Sequence, residues 1–183
     1  NMHLYNNNTK AARKAFIQSY MLKPGNQDAL NGLGLYYLNR NEPLKAMRIF
    51  EKGLKSNPES YSLLNNVAVA YHHAGQYYFQ KNDTIVANNY YNMALRYFDY
   101  AAYNNYNSFG YFMNNKGLVY KDLSEFNEAL NCFKHIITTA TLNNMGIIYA
   151  INENKEVAYQ HFTEAINLGP RRYELYANRR ELN

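Results

Sequence analysis

One arrangement of residues recurs four times along this chain. The first copy runs Leu30, Leu33, Gly34, Tyr37, then Ala46, Phe50 and Pro58, a pattern of L-x2-L-G-x2-Y followed by A-x3-F and P. The second is Leu64, Val67, Ala68, Tyr71, Ala87 and Tyr91; the third Met113, Lys116, Gly117, Tyr120, Ala129 and Phe133; the fourth Leu142, Met145, Gly146, Tyr149, Ala158, Phe162 and Pro170. Each copy holds two segments with helix-period apolar faces, and neither segment can bury its face alone. A chain built this way must form helical hairpins that stack on one another.

Small residues mark the expected close crossings. Gly34, Ala68, Gly117 and Gly146 fall on the first helix of each hairpin, and Ala46, Ala87, Ala129 and Ala158 on the second. The bulky partners are Tyr37, Tyr71, Tyr120 and Tyr149 with Phe50, Tyr91, Phe133 and Phe162. The prolines agree with this layout. Pro24, Pro58 and Pro170 follow a second helix, where the chain must stop being helical, and Pro43 suits a first helical turn.

These motifs resemble the tetratricopeptide repeat over nearly the whole chain. The resemblance implies an all-α solenoid of helical hairpins wound as a right-handed superhelix. About four repeats are expected within a single domain spanning 1–183, with a half-repeat at each end. The boundaries read as a half-repeat 9–24, repeat 1 over 27–60, an extended repeat 2 over 61–109, repeat 3 over 110–138, repeat 4 over 139–172 and the opening of a further repeat over 173–183. Lys10 to Leu22 reads as a second helix lacking its first, so the chain is expected to begin inside a longer array, and further repeats or a polar cap are expected after 183.

The chain shows no phosphate-binding glycine loop, no Ser nucleophile elbow, no H-E-x-x-H and no paired cysteines. His72 and His73 are adjacent, so on a helix they point about 100° apart and cannot grip one metal together. No catalytic residue, metal site or cofactor is expected. The single cysteine, Cys132, sits beside Phe133 on a second helix and reads as core filler. The net charge of +5 is modest, and the cluster of Arg171, Arg172, Arg179 and Arg180 reads as a solvated face rather than a nucleic-acid site. No apolar run approaches the ~20 residues of a membrane span. Localisation stays open.

The functional signal is asparagine. With the glycine or alanine of each first helix counted as the eighth residue, the sixth is Asn66, Asn115, Asn144 and, in the partial fifth repeat, Asn178, whereas the first repeat has Gly32. The fifth is Asn31, Asn65, Asn114 and Asn143. In the family resembled, first helices line the concave face, and a comparable asparagine ladder in O-linked N-acetylglucosamine transferase and kinesin light chain holds a peptide backbone. An amide side chain offers both donors and acceptors, so it can bond a peptide N–H and C=O together. The resemblance therefore implies a peptide or protein partner. Val69, Leu118 and Ile147 are the apolar neighbours on the same face, His72 and Lys121 polar ones. A carboxylate clamp would need basic residues where the chain has Asn31, Tyr111 and Asn115.

Repeat 2 is irregular. Twelve residues separate the small positions of the two helices in repeats 1, 3 and 4, but nineteen separate Ala68 from Ala87. Seven extra residues are about two helical turns. Tyr61 to about Lys81 and Thr84 to about Tyr103 are expected to form a longer hairpin, with Asn82-Asp83 as its turn and Asp83 as N-cap. Between repeats 3 and 4 the run is short, which implies a trimmed helix or turn around Thr138 to Thr141. The long hairpin is rich in aromatics, among them Tyr77, Tyr78 and Phe79 near its turn, and these define a second candidate surface. The leading expectation is a noncatalytic interaction scaffold. The alternatives are a subunit that docks or self-associates through the aromatic hairpin, and a regulatory segment of a larger enzyme.

Overall fold

The computed structural model describes residues 2–104, 109–169 and 173–182, and the side chains of 10–103, 110–169 and 176–182. Pro170, Arg171 and Arg172, all invoked above, lie outside the described residues. Ten helices and no strand are found among the described residues. The chain divides into two compact units, 1–106 and 107–183.

The first unit holds α1 (Met2–Leu22), α2 (Gln27–Asn39), α3 (Pro43–Ser56), α4 (Tyr61–Gln80) and α5 (Thr84–Asn104). Its starts and stops are local chemistry. Asn26 caps α2 by accepting from the Asp28 and Ala29 N–H groups, Ser60 caps α4 through the Leu63 N–H, and Pro43 opens α3 where no N–H is required. Ala46, Phe50, Leu63, Val67 and Ala70 form one core cluster of this unit, with Tyr37, Tyr71 and Tyr97 packed around it.

The second unit holds α6 (Phe109–Asp122), α7 (Phe126–Phe133), α8 (Thr139–Ile151), α9 (Lys155–Leu168) and α10 (Tyr173–Arg180). The expected trimming is real: α7 has only 8 residues, and Thr138 begins α8 with a capping box closed by Thr141. Ala129, Leu130, Phe133, Leu142, Met145, Ile148 and Ala165 make the core.

All four hairpins are built on one ruler. A glycine on the first helix receives the ring of an aromatic residue sixteen positions later: Gly34 with Phe50, Gly75 with Tyr91, Gly117 with Phe133, and Gly146 with Phe162. A Cβ on any of these glycines would lie within 2.2–2.6 Å of a ring carbon. Twelve positions after each glycine stands an alanine with no exposed surface, namely Ala46, Ala87, Ala129 and Ala158. Three positions after it, the carbonyl of Tyr37, Tyr78, Tyr120 or Tyr149 accepts from the N–H of Glu42, Asp83, Glu125 or Asn154 at 2.9–3.0 Å, which closes the turn. Seven positions after it, Asn41, Asn82, Ser124 and Glu153 all have φ of 57–61°.

This ruler corrects the reading of repeat 2. The residue opposite Tyr91 is Gly75, not Ala68, so the spacing to Ala87 is twelve as elsewhere and the turn is ordinary. The seven added residues lie deeper in the hairpin, where the packing unit is laid down twice. In α4, Val67-Ala68 with Tyr71 is followed by Ala74-Gly75 with Tyr78. In α5, Ala87, Tyr90 and Tyr91 are followed by Ala94, Tyr97 and Phe98. The rings of Tyr78 and Tyr90 stack at 5.3 Å, and those of Tyr71 and Tyr97 stack at 5.3 Å two turns further down. The two ring pairs obey one antiparallel register, which sets buried Phe98 opposite buried Ala68.

Candidate functional site

The asparagines of the first helices bond to one another across consecutive repeats. In the first unit the Asn66 side-chain amide on α4 donates to Asn31 Oδ1 on α2, and Asn65 Nδ2 donates to Asn66 Oδ1 at 3.2 Å. In the second unit Asn178 Nδ2 on α10 donates to Asn143 Oδ1 on α8 at 2.8 Å. Both inter-repeat bonds span 35 residues and run from a sixth-position amide back to the fifth-position carbonyl of the repeat before. Asn114 Nδ2 reaches Asn115 Oδ1 at 3.4 Å, repeating the neighbour contact of Asn65 with Asn66.

Each inter-repeat bond uses one of two donor hydrogens on one amide and one of two acceptor sites on the other. The doubled stripe thus has a structural role beside any contact with a ligand: it ties successive first helices together. Donor and acceptor capacity remains on the same face. Asn144, half-buried on α8, takes part in none of these bonds among the described residues.

The apolar neighbours divide. Val69 on α4, Leu118 on α6 and Ile147 on α8 are half-buried, as is Lys121. His72 and Asn65 instead lie inside the first unit, at 8% and 7% exposure. His72 packs 5.8 Å from the Tyr91 ring, with Gln76 Nε2 3.4 Å from its Nε2. The added turns of α4 explain this inward placement, because one helical turn past Ala68 now faces a lengthened α5 rather than open solvent.

Ile147 leads into a cleft of about 560 Å³ in the second unit. Ile147, Ala150 and Ile151 of α8 and Phe162 of α9 give it an apolar floor, and Lys155, Asn178, Glu181 and Leu182 form its rim. Asn178 therefore both closes the inter-repeat bond with Asn143 and borders the cleft. Lys155 Nζ donates to the Leu182 carbonyl at 3.2 Å, tying α9 to the chain after α10. Periodicity alone could place Ile147 and Asn178 on one face; the contributions of Lys155 and Leu182 depend on how α10 lies over α9, which no motif encodes.

The second surface also divides. Tyr78 is consumed by its stack on Tyr90, and Phe79 is 53% exposed. Tyr77 lines a smaller cleft of about 260 Å³ with Asn41, Glu42, Pro43, Leu44 and Lys45. The Lys81 ammonium sits 4.4 Å from the Tyr77 ring centroid, and its hydrogen bond to Tyr77 raises its pKa above the usual lysine value. Asp83 caps α5 as expected, accepting from the Val86 N–H at 3.2 Å. Lower in the hairpin Tyr71 donates to Glu51 Oε1 at 2.9 Å, and burial followed by that bond pushes its phenol well above the ordinary tyrosine range.

A sequence profile for the tetratricopeptide repeat matches residues 111–141, and solved structures built of this repeat superpose on almost the entire chain. It has the fold of a tetratricopeptide-repeat solenoid. A repeat protein of Thermus thermophilus superposes with a TM-score of 0.81 at 19% identity, covering 99% of this chain and 94% of the other. YrrB, described as a repeat protein with an unusual peptide-binding site, superposes at 0.65 with 20% identity over 98% of this chain and 88% of its own. The human IFIT1 dimer, solved with PPP-AAAA, reaches 0.81 at 14% identity over 99% of this chain and 44% of its own. At these identities the likeness is one of fold. No curated protein matches the sequence.

Proposed function

We propose that this chain is a noncatalytic protein-interaction scaffold and that the second unit holds a peptide on its first-helix face. The observation that carries the reading is the cleft floored by Ile147, Ala150, Ile151 and Phe162 and bordered by the amide of Asn178. Such a site can take one apolar side chain of a ligand while neighbouring amides bond its backbone. Burying an aliphatic anchor there contributes about 1.5–3 kcal/mol, and each amide bond about 1 kcal/mol. The peptide-binding site of YrrB, on the same fold, lends support by analogy.

Peptides selected from a random phage-displayed library against the whole chain provide the test. Ile147→Glu should weaken binding of the selected peptides by about tenfold or more, since it puts a charge on the cleft floor. Asn144→Ala should weaken it by about fivefold, the loss of one hydrogen bond, with the melting temperature nearly unchanged. Selected peptides that bind both variants as tightly as the parent would remove the basis of this reading.

A second reading, assembly through the long hairpin, is favoured by the exposure of Phe79 (53%) and Ile85 (79%) around its turn. A concentration-dependent sedimentation coefficient that disappears in Phe79→Ser/Ile85→Ser is its expected signature; a monomer at every concentration removes it.

A further inference from the structure

The charge of this chain is unevenly placed. Residues 1–56 carry nine Lys and Arg against three Asp and Glu, a net +6, while residues 57–183 carry ten against eleven, a net −1. Within the first stretch, Lys45, Arg48, Lys52 and Lys55 are all exposed on α3. At 100° per residue they fall within about 80° of one another, forming a single ridge about 15 Å long. Both acidic residues between positions 40 and 56 are already engaged. Glu42 pairs with Arg40 and Lys45, which together hold its carboxyl below the usual range, and Glu51 accepts from Tyr71. Arg48, Lys52 and Lys55 have no ion-pair partner among the described residues. The ridge begins at the small cleft formed by Pro43, Leu44 and Tyr77, whose rim Lys45 shares.

We infer that the outer face of α3 docks an acidic segment of a partner protein, with one apolar side chain of that segment seated between Pro43, Leu44 and Tyr77 and its carboxylates following along the ridge. An extended strand covers 15 Å in about five residues, so the matching ligand is an apolar residue next to four or five residues rich in Asp and Glu. Nucleic acid is a poorer match. Four cations are fewer than the 6–10 phosphate contacts typical of strong electrostatic binding, and the nearest rings offer no open stacking face. Lys52 covers Tyr20 at 4.6 Å, and Arg13 and Arg40 lie over Tyr36 at 5.7 and 5.8 Å. A bilayer would use the charges but not a cleft sized for one side chain.

The test is a peptide array of Asp/Glu-rich segments, each with a single Leu or Phe at varied position, titrated against the whole chain at low and high salt. Acidic peptides with the apolar residue at one end should bind best. Arg48→Glu/Lys55→Glu should weaken them by about tenfold or more and flatten the salt dependence, and Tyr77→Ser should weaken them and erase the preference for the apolar position. Ile147→Glu, in the other unit, should leave them unchanged, which separates this site from the one proposed above. Arg48 and Lys55 make no core contact, so their variant remains folded even if Tyr77→Ser does not. The inference is overturned if charge reversal leaves peptide affinity unchanged, if basic or neutral peptides bind equally well, or if polyuridylate or phosphatidylserine vesicles bind α3 more tightly than any acidic peptide.

Discussion

Four residues hold left-handed backbone at the same turn position, and they are unequally suited to it. Asn41 and Asn82 tolerate a positive φ because a short amide side chain bonds locally, whereas Ser124 and Glu153 adopt φ of 61° and 60° without that help. Replacing Glu153 with Asn should therefore stabilise the fold by about 0.5–1 kcal/mol, read as a higher urea midpoint at unchanged slope; an unmoved midpoint would mean that the turn stores no strain. The glycines allow the opposite experiment. Gly75→Ala places a Cβ 2.4 Å from the buried Tyr91 ring and should cost about 1–3 kcal/mol, while Gly25→Ala, 3.5 Å from a serine hydroxyl at the surface, should be near neutral. Equal effects at the two sites would refute the assignment of Gly75 as the hairpin crossing. At this scale the repeat motif identified Gly34, Gly117 and Gly146 directly. Gly75 was hidden because Ala68 lies at the ordinary repeat distance from Gly34 and carries the asparagine stripe, although the sixteen-residue step to Tyr91 was there to be measured.

At the scale of elements, the α4–α5 hairpin is a standard repeat with its middle laid down twice. Seven residues turn a helix through about 700°, 20° short of two full turns, so both copies present nearly the same face. The periodic signal thus gave the length and limits of the long helices, but it could not say where between Ala68 and Ala87 the extra turns lay. The bond from Asn66 to Asn31 fixes α4 against α2, and since α4 continues fourteen residues beyond Asn66 while α2 continues eight beyond Asn31, its tip overhangs repeat 1 by about 9 Å. Deleting Ala68–Ala74 together with Ala94–Tyr100 should restore an ordinary hairpin that stays helical and melts cooperatively. Removing five residues from each helix rotates the faces by about 140° from register and should abolish the cooperative melt. If both deletions behave alike, the duplication is not what organises the packing. Tyr71 tests the lower copy. Its phenol is raised above the unfolded value, so the neutral form is favoured in the folded state; the stabilisation is complete below about pH 10 and declines as pH rises beyond it. Tyr71→Phe should cost about 1 kcal/mol at neutral pH and reduce the alkaline loss of stability, and an identical alkaline profile in the variant would show that other tyrosines dominate it.

For the molecule as a whole, the repeat motif could specify each hairpin because its determinants are local, whereas the placement of charge and clefts depends on which faces stay open after stacking. The +5 average conceals a basic α3, and Asn178 borders a cleft only because α10 closes over α8 and α9. The single-domain expectation for 1–183 belongs to this scale and concerns cooperativity. In a repeat array stability is shared between neighbours through their interfaces, so one domain should register damage far from where it is made. Gly146→Leu drives a side chain into Phe162, whose ring carbon lies 2.5 Å from where a Cβ would be, and so lowers the stability of the second unit. Amide hydrogen exchange read by mass spectrometry can follow α2 to α4 separately from α8 and α9. If 1–183 unfolds as one domain, the slowest amides of α4 should lose the same free energy of protection as those of α8. Full protection of α4 beside a loosened α8 would show instead that the two compact units are two domains, and that the solenoid carries separate stabilities beneath its peptide cleft and its basic ridge.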